Sequence, residues 1–281
     1  MYSTDARKYL KISRPKFWLY LLGPYFLGAV LALEDPSQLW SWPFWSLFAW
    51  WTFPANLLLY GVNDISDYDT DQHNPKKVRD EALVYPHERP ALLGTILLLT
   101  GLAVPALVAS NTRVVLAFAL FLALAVAYSV PPLRLKARPV LDSLSNSLYL
   151  TPLLAGWWSF TSDMPLPSLM LAGVLWCAAM HAYSAVPDIE SDRRAGLSTI
   201  ATLLGHEGTL LMCALSYLGA ALLVSLHDAL AGLLLGVYPL VMTAQLLRAR
   251  ARVSQWYRFF PVLNGLAGMC LTLRFLWPLA R

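Results

Sequence analysis

Charge is what this chain of 281 residues lacks most: only 14% of it is Asp, Glu, Lys or Arg, against about a quarter in an average soluble domain. So little charge cannot cover a water-facing surface, which excludes an ordinary soluble globular protein. Cysteine is scarce as well. Cys177, Cys213 and Cys270 lie inside apolar runs without metal-ligand spacing. That excludes a disulfide framework or a thiolate metal centre and predicts buried, reduced thiols. No cleavable leader is expected, because Met1 to Lys16 is polar and basic and the first apolar run is too long for one. The net charge of +4 does not point to nucleic acid, since the basic residues are sorted by membrane side.

What is present is apolar sequence, 57% of the chain, in runs of about 18 residues or more. The reading is an all-α membrane protein with nine transmembrane helices forming one domain around a central cavity open to the bilayer, under cytoplasmic cap loops. The expected spans are about 16–34, 43–62, 91–110, 113–131, 142–160, 168–187, 208–227, 229–247 and 260–278. With the N-terminus in the cytoplasm, every Lys and Arg except Arg113, Arg274 and Arg281 falls on the cytoplasmic side. Trp40, Trp42 and Trp45 are expected in an outer interfacial belt, and the deeper Trp50 and Trp51 against lipid or a long apolar substrate.

Two acidic stretches interrupt this background at span ends. The first, Tyr60-Gly-Val-Asn-Asp-Ile-Ser-Asp-Tyr-Asp-Thr-Asp71, places Asn63, Asp64, Asp67 and Asp71 within nine residues. If its helix continues, Asn63, Asp67 and Asp71 stack on one face. The second, Tyr183-Ser-Ala-Val-Pro-Asp-Ile-Glu-Ser-Asp192, puts Asp188 and Asp192 four apart. Oxygen-bearing side chains crowded in this way repel one another unless a cation sits among them. Hard divalent cations take carboxylates, keep several waters and are completed by substrate phosphates. Asn63, Asp64, Asp67, Asp71, Asp188 and Asp192 are therefore the candidate metal ligands. Both stretches end the second and sixth spans, which suggests two four-helix halves, about 16–160 and 168–247, plus a ninth helix at about 260–278, with the clusters facing each other.

Basic residues stand ready for a diphosphate. Lys76, Lys77 and Arg79 come after the first cluster in a cytoplasmic loop of nearly thirty residues. Arg134, Lys136 and Arg138 come after the double proline that stops span four, and an extended backbone there would present all three on one side. Asp142 and Asn146 open span five, where they could join a polar cup or merely favour a helix N-terminus. His181 lies seven residues before Asp188 and is an ionisable group inside a span, so it is a candidate proton carrier or a hydrogen-bonded packing residue. Tyr60, Tyr68, Tyr128, Tyr149 and Tyr183 could line a dry site and offer aromatic faces to a cation.

Asn63-Asp64-x-x-Asp67-x-x-x-Asp71 resembles the first signature of the UbiA superfamily of intramembrane prenyltransferases, and Tyr183-Ser-x-x-x-Asp188-x-x-x-Asp192 the second. Tyr128-Ser-x-Pro-Pro-x-Arg134-x-Lys136 resembles the basic element after the family's fourth helix. The resemblance implies that Asn63, Asp67, Asp71, Asp188 and Asp192 hold two Mg²⁺ ions and that Lys136 and Arg138 contact diphosphate. Within the superfamily, Ser13-Arg-Pro-Lys-Phe-Trp-Leu-Tyr20 and the stretch from Ser184 to Thr202 look most like the lycopene elongases. That likeness implies transfer of a dimethylallyl unit from its diphosphate to each end of lycopene, toward C45 and C50 carotenoids. Asp67, Asp71, Asp188, Asp192 and His181 would be the catalytic set.

Two rival readings differ in class. One keeps the chemistry and changes the acceptor to an aromatic quinone precursor or a lipid alcohol; the lack of Lys or Arg deep inside a span favours a hydrocarbon. The other is a transporter or cation channel, which would place charges at mid-membrane rather than at helix ends on one side.

Overall fold

The computed structural model describes residues 6–71, 82–194, 196–248 and 253–279, and every regular element among them is helical. Among the described residues six helices are long and apolar enough to cross a membrane: Pro86–Val108, Thr112–Ser129, Pro167–Arg194, Ile200–Ser225, Ala229–Leu246 and Gln255–Leu279. The other three expected spans are built from shorter pieces. They are Leu19–Ala32, then Trp42–Trp50 with Phe53–Ser66, then Leu141–Ser145 and Leu150–Trp158 joined by a 3-10 turn at Asn146–Tyr149.

Proline explains one of these divisions and local breaks within two of the long helices. It carries no N–H, so the carbonyl four residues earlier loses its helical donor. Pro54, Pro105 and Pro239 each stand four residues after the last residue of a helix, namely Trp50, Gly101 and Leu235. Just past the first of these breaks the Asn56 side chain reinforces the new helix start, its Nδ2 donating to the Thr52 carbonyl at 2.7 Å. Helix starts are marked by local chemistry as well. Asn111 Oδ1 accepts from the Arg113 N–H, Asp228 Oδ1 accepts from the Ala231 N–H, and Thr199 and Thr202 form a reciprocal capping box.

The chain folds as two compact units, Met1–Leu133 with Thr151–Ser162, and Arg134–Leu150 with Asp163–Arg281. In the first unit the helices Leu19–Ala32 and Leu150–Trp158 touch backbone to backbone. A Cβ on Gly28 would lie 2.0 Å from the Leu153 carbonyl oxygen, and one on Gly156 would lie 1.9 Å from that of Tyr25. Only glycine permits such an approach, the device by which helices pack where water supplies no driving force. An aromatic core fills the rest. Trp51 is fully buried and its ring centroid lies 4.9 Å from that of Phe121, while Trp50 sits 4.3 Å from Phe118 and donates its Nε1–H to the Leu99 carbonyl. Trp50 and Trp51 are therefore packing residues and do not face lipid or a substrate. Trp40, Trp42 and Trp45 are exposed, as a belt requires.

In the second unit Pro167–Ala185, Ile200–Ser225 and Val237–Leu246 pack around Tyr217 and Tyr238, whose rings stack at 4.9 Å. Much of the stretch between the sixth and seventh expected spans is helical, because Ile189–Arg194 extends the first and the capping box at Thr199 starts the next helix at Ile200. Gly205, at φ 68, breaks that helix locally. The final helix, Phe260–Leu279, buries only Phe260 and Asn264, and Arg274 Nη2 ties it to Asp228 Oδ2 at 2.9 Å. Cys177 and Cys213 are buried, but Cys270 on this last helix is exposed, since so little of the helix is covered. Leu211, Leu215, Leu218 and Leu222 likewise line an uncovered face of Ile200–Ser225. Such an apolar exterior suits a hydrocarbon solvent.

Candidate active site

The first acidic cluster belongs to the first unit and grows out of the helix Phe53–Ser66. That helix does not continue through the cluster. Asp67 leaves it at φ −105 and ψ 8, and a short helix, Tyr68–Asp71, comes next. Ser66 Oγ donates back to the Val62 carbonyl at 2.8 Å, a bond that bends helices. The continuous stripe of Asn63, Asp67 and Asp71 is thus interrupted at its middle member. Asn63 Nδ2 donates to Ser129 Oγ at 3.1 Å, which fixes the amide and keeps its oxygen as the acceptor atom. Asp67 is half-buried, and the side chain of Asp71 lies outside the described residues.

Asp64 has a different environment. It is only 2% exposed, and its Oδ1 accepts from Arg14 Nη2 at 2.9 Å. The same guanidinium lies 4.5 Å above the Tyr60 ring. Arg14 itself stands in the left-handed region, φ 50, immediately before the turn Pro15–Phe17. Lys8 pairs with Glu88 and lies over the Tyr85 ring, so the helix Ala6–Ile12 is bound to the same unit at a second point. Arg89 covers Tyr68 at 5.5 Å. Two of the five candidate tyrosines therefore already carry an arginine on a ring face. Arg14 and Arg89 are the residues of this region that the sequence does not single out, and no periodicity links Arg14 to Asp64 fifty positions away.

Lys76, Lys77 and Arg79 lie outside the described residues. Ser129 closes the helix Thr112–Ser129, and Arg134 opens the second unit in the left-handed region at φ 39. The backbone then coils into a 3-10 turn, Leu135–Ala137, and becomes extended only at Arg138. Arg134, Lys136 and Arg138 consequently do not alternate along an extended strand; three residues per turn replaces two. Tyr128 and Tyr149 are half-buried.

The second acidic cluster comes after the helix Pro167–Ala185. Pro187 lies in a 3-10 turn, Val186–Asp188, which leads into the helix Ile189–Arg194. Asp188 is exposed and Asp192 half-buried, so both carboxylates reach solvent. Tyr183 is fully buried: its hydroxyl donates to Gln245 Oε1 at 3.0 Å, and its ring packs edge-on against Phe260. It offers no open face and serves the core. Asn146 also serves packing, with Nδ2 donating to the Cys177 carbonyl at 2.8 Å.

Asp142 is completely buried in the same unit. Its Oδ2 accepts from the Ile200 N–H at 2.8 Å and lies 3.9 Å from His181 Nε2. Its Oδ1 is buried without a hydrogen-bond partner. Among the described residues no three His, Cys, Asp or Glu side chains converge into a ready-made cation cage. Two short sets of oxygen donors instead suit a hard cation that leaves much of its coordination to water and substrate phosphates.

The UbiA prenyltransferase family matches residues 21–266. The lycopene elongase/hydratase of Haloferax volcanii is 41% identical over 279 residues, spanning 98% of this chain and 91% of that protein. That of Haloarcula japonica is 39% identical over 95% of this chain and 90% of its own length. Among solved structures, a UbiA homolog from Archaeoglobus fulgidus bound to DMAPP and Mg²⁺ matches with a TM-score of 0.74 at 22% identity, covering 97% of this chain and 99% of that one. The apo UbiA homolog from Aeropyrum pernix K1 matches with 0.65 at 20% identity, over 92% and 99%. These structural matches are likenesses of fold.

Proposed function

Because this chain belongs to the UbiA prenyltransferase family, we propose that it transfers a dimethylallyl group from its diphosphate to the end of lycopene or a closely similar linear polyene. The observation that carries the acceptor is identity of about 40%, over nearly the whole length, to proteins named lycopene elongase/hydratase. In this reading the three divided stretches also cross, which would make nine crossings with the six long helices, and the distribution of basic residues along the sequence supports a cytoplasmic N-terminus with both acidic clusters on that side.

Asn63, Asp67, Asp71, Asp188 and Asp192 are the residues that would hold Mg²⁺, and the metal would supply positive charge to stabilise the departing diphosphate. The chain's own cations add to this: Lys76, Lys77, Arg79, Arg134, Lys136 and Arg138 donate hydrogen bonds to phosphate oxygens. Asp64 acts one step back, holding Arg14 and with it the segment that carries Asn63. As the C–O bond breaks, its electron pair leaves with diphosphate, and the terminal C=C pair of the acceptor bonds the allylic carbon. Tyr128 and Tyr149 offer aromatic faces to the positive charge, and the apolar walls keep water from quenching it early. The new cation then loses a proton or is captured by water, and His181 is the side chain that takes the proton.

The deciding experiment is the pigment profile of a lycopene-producing bacterium expressing this chain. Carotenoids heavier by one or two C5 units are expected. Unchanged lycopene, with the protein present in the membrane and dimethylallyl diphosphate supplied, would remove the polyene acceptor.

A further inference from the structure

Asp142 is a carboxylate with no exposure, and what its neighbours require of it is less than a charge. Its Oδ2 accepts the Ile200 N–H, at the start of a helix where Thr199 and Thr202 satisfy each other's N–H groups. A cap alone would use one neutral oxygen. Here a second oxygen, Oδ1, is buried and receives no hydrogen bond, and such an orphan in a folded protein calls for a reason. His181 supplies it. This imidazole lies within the helix Pro167–Ala185, and its Nε2 is 3.9 Å from Asp142 Oδ2. That separation exceeds a direct hydrogen bond, but it is one that a bridging water spans or a small ring rotation closes, and catalytic pairs tighten when substrate binds.

We propose that Asp142 orients His181 and stabilises its protonated ring, making the two residues the pair that accepts the proton released when prenyl transfer ends. The inference rests on the prenyl-transfer reading and adds a positioning residue to it. When the C–C bond has formed, the cation lies on the acceptor carbon beside the new bond. A neighbouring C–H pair becomes the new C=C, and its proton passes to the imidazole. In the alternative ending, water oxygen bonds the cationic carbon and the water proton passes to the same nitrogen. Either way one proton is delivered, and Asp142 balances the imidazolium charge without itself taking the proton, the arrangement by which a buried carboxylate supports a general base. The carboxylate is anchored for this: Asp142 N–H donates to the Arg138 carbonyl at 2.8 Å, and Ile200 holds Oδ2 from the other side.

The test compares Asp142→Asn, His181→Gln and the double variant. Asparagine keeps an oxygen for the Ile200 N–H, so a purely structural Asp142 is rescued by it. The pair predicts a fall in kcat of about 100-fold for Asp142→Asn with the KM for dimethylallyl diphosphate unchanged, and a double variant no slower than His181→Gln. Wild-type turnover in Asp142→Asn, or losses that multiply in the double variant, would overturn it. A second readout needs no acceptor: in ¹⁵N-histidine-labelled protein, the ring signals that vanish in His181→Gln should shift in Asp142→Asn. Unshifted signals overturn the pair even if lycopene is elongated. Shifted signals in a chain that leaves lycopene untouched keep the pair and discard the acceptor.

Discussion

Arg14 and Asp64 form a largely buried ion pair, 2.9 Å from Nη2 to Oδ1, and it joins the N-terminal arm to the helix that ends in the first acidic cluster. The carboxylate sits one residue from Asn63, so what looks in sequence like one more metal ligand already has a cation of its own. Removing the arginine would strand a buried charge, and breaking such a pair costs about 3 to 5 kcal/mol.

Arg14→Gln is therefore expected to lower the unfolding temperature in detergent sharply, and Arg14→Gln with Asp64→Asn to recover part of the loss. A thermal melt of the single and double variants checks this. Equal destabilisation by the two would show that the pair is not the cause.

Gly28 and Gly156 bear on a separate prediction. Gly28→Ala or Gly156→Ala pushes a methyl group into a backbone carbonyl and should destabilise by more than the roughly 1 to 3 kcal/mol of ordinary overpacking. Gly23→Ala and Gly94→Ala meet nothing within 4 Å and should leave the melt unchanged or slightly raised. Size-exclusion profiles of the four variants give the same comparison by an independent route.

The aromatic core predicts a contrast between tryptophans of similar sequence surroundings. Trp51→Ala, at a fully buried ring, should cost about 3 to 5 kcal/mol, whereas Trp40→Ala, at a ring 90% exposed, should cost little. Fluorescence quenching adds a check, because an aqueous quencher should reach Trp40 and not Trp51.

Metal dependence is expected from the oxygen donors. Chelation should abolish prenyl transfer and Mg²⁺ should restore it, while Asp67→Asn and Asp188→Asn each lower kcat by at least about 100-fold with the fold intact. Both variants turning over at the wild-type rate, with normal melting behaviour, would remove the acids from the reaction.

Much of the fold is legible in the sequence because the membrane solvent acts through local pattern. Low charge and long apolar runs announce the all-helical membrane class, and the two acidic stretches stand at helix ends, where the apolar runs stop. The prolines at 54, 105 and 239 are equally readable as helix breaks, yet an average over apolar residues passes through them. What local pattern does not reveal is which partner a residue meets across the fold. Nothing near Asp64 points to Arg14, and nothing near Asp142 points to Ile200 or His181. Trp50 and Trp51 mislead for a related reason: inside a bilayer, core and lipid are both apolar, so hydrophobicity does not tell a buried ring from an outward one. The turn at Leu135–Ala137 escapes a sequence reading because two prolines stop a helix without saying what comes next.

The first compact unit takes its last stave, Thr151–Ser162, from beyond a seventeen-residue piece of the second, Arg134–Leu150. During synthesis the early helices therefore cannot be sealed as they enter the bilayer. The groove at Gly28 stays open until Gly156 has left the ribosome, by which time the second unit has begun. The order of emergence makes completion of the first unit wait on the start of the second. A chain divided at residue 133 into separately made halves would leave the first without its closing helix, and a pause in translation before residue 151 is the moment at which quality-control proteases would find it most open.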